Sequence, residues 1–143
     1  ANPAVFPLLC DCDSRDVLLV LLNPLQREGT PRTAEELGTR MVELAFSTNF
    51  MREMRTFAHA IEFSRPSWLP MGRLERRLRQ LRFHMIDSSD VASLQRSDTK
   101  LLPHGPFPDL LREQGRARAV AWLGEHGAGV GRHSTLDVKK HFG

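Results

Sequence analysis

From Val17 to Leu22 every position is apolar, with nothing polar interrupting the run. A strand with one face in water alternates, whereas a strand covered on both faces does not. The run therefore predicts an interior strand over about residues 16–22, buried on both faces inside a helix-covered sheet. Asn23-Pro24 ends it, because proline has no N–H to give to a ladder. Alternation returns at Leu81, Phe83 and Met85 against Arg82 and His84, which makes 81–87 the second strand candidate, overlapping the end of a preceding helix. An interior strand needs neighbours, and one further candidate is too few. The chain is expected to be the end of a larger α/β domain whose earlier strands are missing.

The rest of the pattern is helical. Thr33-Ala-Glu-Glu36 is a capping box: the Thr33 hydroxyl can accept from the Glu36 N–H, and the Glu36 carboxylate can reach back to the Thr33 N–H. Leu37, Met41, Leu44, Thr48, Met51, Met54, Ala58 and Ile61 then keep helical spacing, and Phe46, Phe50 and Phe57 widen the stripe. This predicts one long helix, or two broken near Ser47-Thr-Asn49, ending before Pro66 and buried against more than one partner. Residues 1–9 read as a turn into a buried half-helix, and 88–106 as mostly irregular. Leu74, Leu78 and Leu81 form a narrow apolar stripe on a short helix that follows a proline-punctuated loop at 65–72. Pro108-Asp109 opens a last helix through Leu123, stopped by Gly127, Gly129 and Gly131, and 134–138 reads as a tail. The expected organisation is a single segment, 1–143, in three stretches: 1–64 with the sheet-completing strand and long helix, 65–106 with the basic helix, second strand and loops, and 107–143 with the terminal helix and tail.

Composition adds limits rather than identity. The 143 residues are 41% hydrophobic and 26% charged, values of a globular chain. No apolar run approaches the roughly 20 residues of a membrane span. Net charge is +3, yet Arg73, Arg76, Arg77, Arg79 and Arg82 face only Glu75 between positions 73 and 82. Aromatic residues are not interleaved with these arginines, so nucleic acid is an unlikely partner. Cys10 and Cys12 are too close together for an ordinary disulfide and too few for a zinc site; they read as reduced thiols, and the cytoplasm is the expected compartment.

Catalytic patterns are absent from the sequence. There is no G-x-S-x-G elbow, no Asp-Gly pair, no G-x-G-x-x-G and no Walker loop, and the six histidines show no ligand spacing. No catalytic, cofactor or metal residue is assigned, and each histidine reads as a partly exposed polar residue. One segment could meet a surface: Trp68 followed by Arg73, Arg76, Arg77 and Arg79 pairs an apolar tip with a cationic face, as in segments that lie on anionic lipid. The plainer reading is a solvated basic helix that packs its leucines on the core.

Several stretches, in order, carry a family resemblance. Asn2-Pro-Ala-Val-Phe-Pro-Leu8, the Leu-rich strand with Asn23-Pro24, Gly29-Thr-Pro-Arg-Thr-Ala34 and Phe46-Ser-Thr-Asn-Phe-Met-Arg-Glu-Met-Arg55 resemble the C-terminal portion of bacterial patatin-like phospholipases. Ser97-Asp-Thr-Lys-Leu101, Leu111-Arg-Glu-Gln-Gly-Arg116, Ala121-Trp-Leu123 and Gly131-Arg-His-Ser-Thr-Leu-Asp137 continue it over nearly the whole chain. The resemblance implies an α/β fold and hydrolysis of lipid acyl esters by a Ser-Asp dyad. It places the aspartate in an Asp-Gly-Gly/Ala motif just ahead of Asn2-Pro3-Ala4, and the serine further upstream still. Neither lies in this sequence, and Asp11, Asp13 and Asp16 lack the Asp-Gly context. The segment from Arg65 to Leu81 departs most from the family pattern. The expectation is therefore a sheet-completing segment, inactive alone, whose lipid or acyl-ester substrate is met by the missing catalytic half and which is peripheral to membrane if the basic helix engages it. A stand-alone, non-catalytic membrane- or partner-binding module is the alternative.

Overall fold

A computed structural model describes residues 5–22, 25, 29–64, 72–89, 91 and 107–143. Its elements are α1 (Phe6–Asp11), β1 (Asp16–Val20), α2 (Ala34–Phe63), α3 (Arg73–Gln80), β2 (Arg82–Ile86), α4 (Phe107–His126), a 3-10 turn (Gly127–Gly129) and α5 (Val138–Phe142). The described chain is mostly helical, with a small sheet compatible with a mixed α/β class. Contacts group it into two compact units: residues 1–17, 44–84 and 129–143 form the first, and 18–43 with 85–128 the second.

The two strands pair in parallel. The Arg82 N–H donates to Arg15 O at 2.7 Å and the Leu21 N–H to Ile86 O at 2.9 Å, so partner numbers rise together. In this register Val17 and Leu19 direct their backbone polar groups at β2, while Leu18 and Val20 direct theirs the other way. Among the described residues, β1 has β2 as its only strand neighbour. Val17 and Leu19 are buried, whereas Leu18, Val20 and the following Leu22 are 49%, 58% and 67% exposed. Burial on both faces, expected for 16–22, is thus not met. Val17 and Leu19 pack on the core, whereas Leu18 and Val20 on the other face have no covering layer among the described residues.

In the first unit, the C-terminal half of α2 supplies the core through Phe50, Met54, Phe57 and Ala58, spaced four, three and one residues apart along one helix face. Phe83 of β2 meets Phe57 with ring centroids 6.0 Å apart, and Phe142 of α5 sets its edge on Phe50 at 5.9 Å. The first N–H groups of α1 have no partner inside their own helix. The Glu53 carboxylate takes them, accepting from Val5 N at 3.0 Å and Phe6 N at 2.5 Å. Phe6 and Leu8 are nonetheless about half exposed, so α1 is less buried than its apolar patch suggested.

In the second unit, the capping box forms as the spacing implies. Thr33 Oγ1 accepts from the Glu36 N–H at 3.1 Å, and Glu36 Oε2 accepts from the N–H groups of Thr33 and Arg32 at 3.2 and 2.7 Å. The helix that starts there has no break at 47–49. Ser47 and Thr48 both donate their hydroxyls to Leu44 O, which satisfies them within a helix they would otherwise disfavour. Its N-terminal apolar positions are open: Leu37, Met41 and Val42 are 52%, 64% and 70% exposed. α4 buries Trp122, which sits on His126 one turn on at 5.6 Å, and Arg118 Nε donates to Asp87 O at 3.3 Å.

Candidate functional site

The densest polar constellation is in the first unit, at the start of β1. Asp16 Oδ1 accepts from Arg82 Nε at 2.9 Å, His84 Nε2 at 3.1 Å and the Gly131 N–H at 2.9 Å, and Oδ2 accepts from Arg82 Nη2 at 2.8 Å. The bidentate Arg82 contact, joined by His84 and the Gly131 N–H, holds the Asp16 carboxyl far below the ordinary carboxylate range despite partial burial. His84 is 1% exposed, and its Nδ1 lies 2.9 Å from Thr135 Oγ1. The expectation that each histidine is partly exposed fails here. The reason is the segment after Gly131, which covers this face of β2.

The pattern at 134–138 predicts a tail, but the segment is an integral layer. The N–H groups of Thr135 and Leu136 both donate to Phe83 O, and the Phe83 N–H donates to Ser134 Oγ at 3.1 Å. Asp137 caps α5 by accepting from the Lys140 N–H at 3.1 Å, and Leu136, Val138 and Phe142 are buried. Two glycines make the approach feasible. Gly131 has a φ of +78°, and a Cβ on Gly129 would come within 2.8 Å of Thr135 Cγ2.

Asp16, His84 and Thr135 have the spacing of an acid, a base and a hydroxyl. Three features make the arrangement structural. The imidazole is sealed from any substrate, the carboxylate is already neutralised by Arg82, and the nearby Thr135 and Leu136 N–H groups are spent on Phe83 O rather than open to an oxyanion. The relay ties β1, β2 and the 131–136 segment together.

The sequence-selected arginines are split by the fold. Gly72 starts α3, its N–H held by the Glu75 carboxylate. Arg73, Arg76 and Arg79 are exposed, while Arg77 is half-buried, with Nε and Nη2 shielded from solvent. Of the expected leucine stripe, Leu78 is buried and Leu74 is 49% exposed. Trp68 lies outside the described residues, as do 92–106 with Ser97-Asp-Thr-Lys100.

Arg79 borders a cleft of about 430 Å³ in the first unit. Ala58 and Ile61 of α2, Leu78 of α3, and Leu136 and Val138 supply its apolar wall, and Lys139 stands with Arg79 among its polar residues. No local pattern in the sequence points to this cleft, because its walls come from three stretches far apart in the chain. Among the described residues, no group of three or more His, Cys, Asp or Glu could hold a metal ion, and no helix is long and apolar enough to cross a membrane.

Comparison with family models, curated proteins and solved structures finds no match.

Proposed function

We propose that this chain is the C-terminal segment of a patatin-like lipid acyl hydrolase, a phospholipase A-type enzyme that cuts carboxylic esters with a Ser-Asp dyad. The segment completes the sheet and is inactive without the catalytic half. The observation that carries this reading is β1, an apolar parallel strand with one edge unpaired among the described residues and an open apolar face at Leu18, Val20 and Leu22. Purely parallel sheets occur almost only with both faces covered, and exposed apolar edges are templates for further pairing. Covering the exposed half of three such side chains contributes roughly 3 kcal/mol. The family resemblance supplies the identity of what would cover them, since it sets the dyad aspartate just ahead of Asn2-Pro3-Ala4.

In the parent protein the serine attacks the acyl carbonyl, the aspartate takes its proton, and backbone N–H groups hold the oxyanion. The present chain contributes none of these groups. Exposed Arg73, Arg76 and Arg79 offer a cationic surface to anionic lipid beside the catalytic half.

The test is labelling with a fluorophosphonate probe, on this chain and on a version extended upstream. Labelling of the extended protein alone is the expected result. Labelling of residues 1–143 by themselves, or of neither protein, overturns the reading; in the second case a non-catalytic binding module is the better description.

A further inference from the structure

We infer that the cleft between the C-terminal half of α2, α3 and residues 134–139 binds a single-chain aliphatic carboxylate, with the chain in the cleft and the carboxylate at Arg79 and Lys139. The site and its ligand chemistry rest on the cleft itself. The choice of a fatty acid among aliphatic carboxylates rests on the acyl-hydrolase reading, because hydrolysis of an acyl ester releases that product.

Size comes first. A volume of about 430 Å³ lies in the range of small-molecule sites, roughly 300–1,000 Å³. Shape and polarity come next. Ala58, Ile61, Leu78, Leu136 and Val138 give the wall no charge, which suits a hydrocarbon chain. Of the charged lining residues Arg79, Lys139 and Asp137, the two cations are the groups that can meet a carboxylate, with Lys139 now paired to Glu62. Asp137 is turned to its own helix, where its carboxylate accepts the Lys140 N–H.

Lys139 can exchange its present partner for a ligand. Its Nζ is 2.5 Å from Glu62 Oε1, and the two side chains are 65% and 46% exposed. An ion pair that open adds little net stability, so trading Glu62 for a ligand carboxylate costs little. The walls themselves are firm. Phe83 O fixes residues 135 and 136, the Asp137 cap fixes α5, and Phe142 anchors the far end against Phe50. A preformed wall spares the ligand the ordering penalty that a mobile surface would impose.

The experiment is titration of the 143-residue chain with a naturally fluorescent polyene fatty acid, followed by displacement with an unlabelled fatty acid, its methyl ester and an alkyl phosphate of equal chain length. One-to-one saturable binding is expected, at least tenfold weaker for the methyl ester and weaker for the phosphate. Arg79→Glu and Ile61→Trp should each weaken it at least tenfold, whereas Arg73→Glu, on the same helix but outside the cleft, should leave it within twofold. Circular dichroism on each variant separates lost binding from lost fold, and Lys139→Glu at an exposed position gives a second charge reversal. Absence of saturable binding, equal losses for Arg73→Glu and Arg79→Glu, or tighter binding of the phosphate would each overturn the inference. The phosphate result would assign the cleft to a lipid headgroup instead. None of these readouts involves catalysis, so failure here is distinct from failure of the fluorophosphonate test.

Discussion

Replacing Asp16 with Asn keeps the size of the side chain and removes its charge, which isolates what the carboxylate does. Four donors converge on it: Arg82 Nε, Arg82 Nη2, His84 Nε2 and the Gly131 N–H. In Asp16→Asn an amide NH2 takes the place of Oδ2 and faces Arg82 Nη2, donor against donor, so that bond is lost. The other three survive with a neutral acceptor, and Arg82 loses its counter-charge. A hydrogen bond to a charged group is worth about 1.5–3 kcal/mol and a neutral one about 1 kcal/mol. The pair is 22% and 23% exposed, so solvent offsets part of the loss. A destabilisation of about 2–3 kcal/mol follows, or about 5–10 °C in unfolding midpoint for a chain of this size.

The pH dependence gives the sharper check. Asp16 titrates in the folded chain far below its unfolded value of about 3.9, chiefly through the Arg82 hydrogen bonds. A carboxyl lowered in this way contributes stability above its unfolded pKa and loses it as pH falls toward the folded one. The gap between wild type and Asp16→Asn should therefore be constant from about pH 7 to 5 and close steadily below about pH 4. Glu36, held low by the Arg32 and Thr33 N–H groups, is common to both proteins and cancels. So does Asp87, where the Ser89 and Arg118 contacts outweigh the upward push of burial. Thermal unfolding followed by far-ultraviolet circular dichroism across this range is the assay. A midpoint unchanged at neutral pH, or a gap that persists undiminished in acid, would refute the argument. Asp13→Asn, at an exposed position, is the control.

Phe142 is 1% exposed and packs on Phe50, so Phe142→Ala should cost about 3–5 kcal/mol in urea unfolding, while Phe63→Ala, at 85% exposure, should stay within about 0.5 kcal/mol. Equal effects would contradict the placement of α5 in the core. Val20 is 58% exposed next to the edge of β1 that has no strand partner among the described residues, and Val20→Lys should lower self-association in sedimentation velocity without lowering stability. A wild-type chain that stays monomeric at all concentrations would refute that edge as a pairing surface.

Local signals were legible in the sequence and long-range ones were not. The Thr33–Glu36 box, the helix from Ala34 to before Pro66, the strand at 82–86 and the helix opened by Pro108 all follow from spacing within a few residues. The Asp16 cluster joins residues 66, 68 and 115 positions apart, and no local periodicity encodes such a meeting. Residues 134–142 were missed for a related reason. Leu136, Val138 and Phe142 are too few and too irregularly spaced to declare a strand or a long helix, although Asp137 ahead of Val138 is a helix-cap signal that could have been read. The basic stretch was legible as charge. Its division into exposed Arg76 and Arg79 and shielded Arg77 depends on tertiary packing that charge spacing does not encode.

The direction of each disagreement has physical content. An apolar position records the total coverage a residue receives in its working state, whereas the structure records only the coverage that the described residues supply. Where the sequence implies more burial than is observed, as at Leu18, Val20, Leu37 and Met41, the missing coverage belongs to something outside the described residues. Where it implies less, as at His84, the chain covers itself by a route that local pattern cannot show. Both signs occur on the same face of the two-stranded sheet. At the Asp16 end that face is sealed by the 131–135 segment and fully hydrogen-bonded; at Leu18 and Val20 it is bare hydrocarbon. A face built only for water would carry polar residues along its whole length, and a face built only for this chain would be covered along its whole length. The strand does neither: its Asp16 end is closed by the 131–135 segment, and its Leu18 and Val20 end is left open among the described residues.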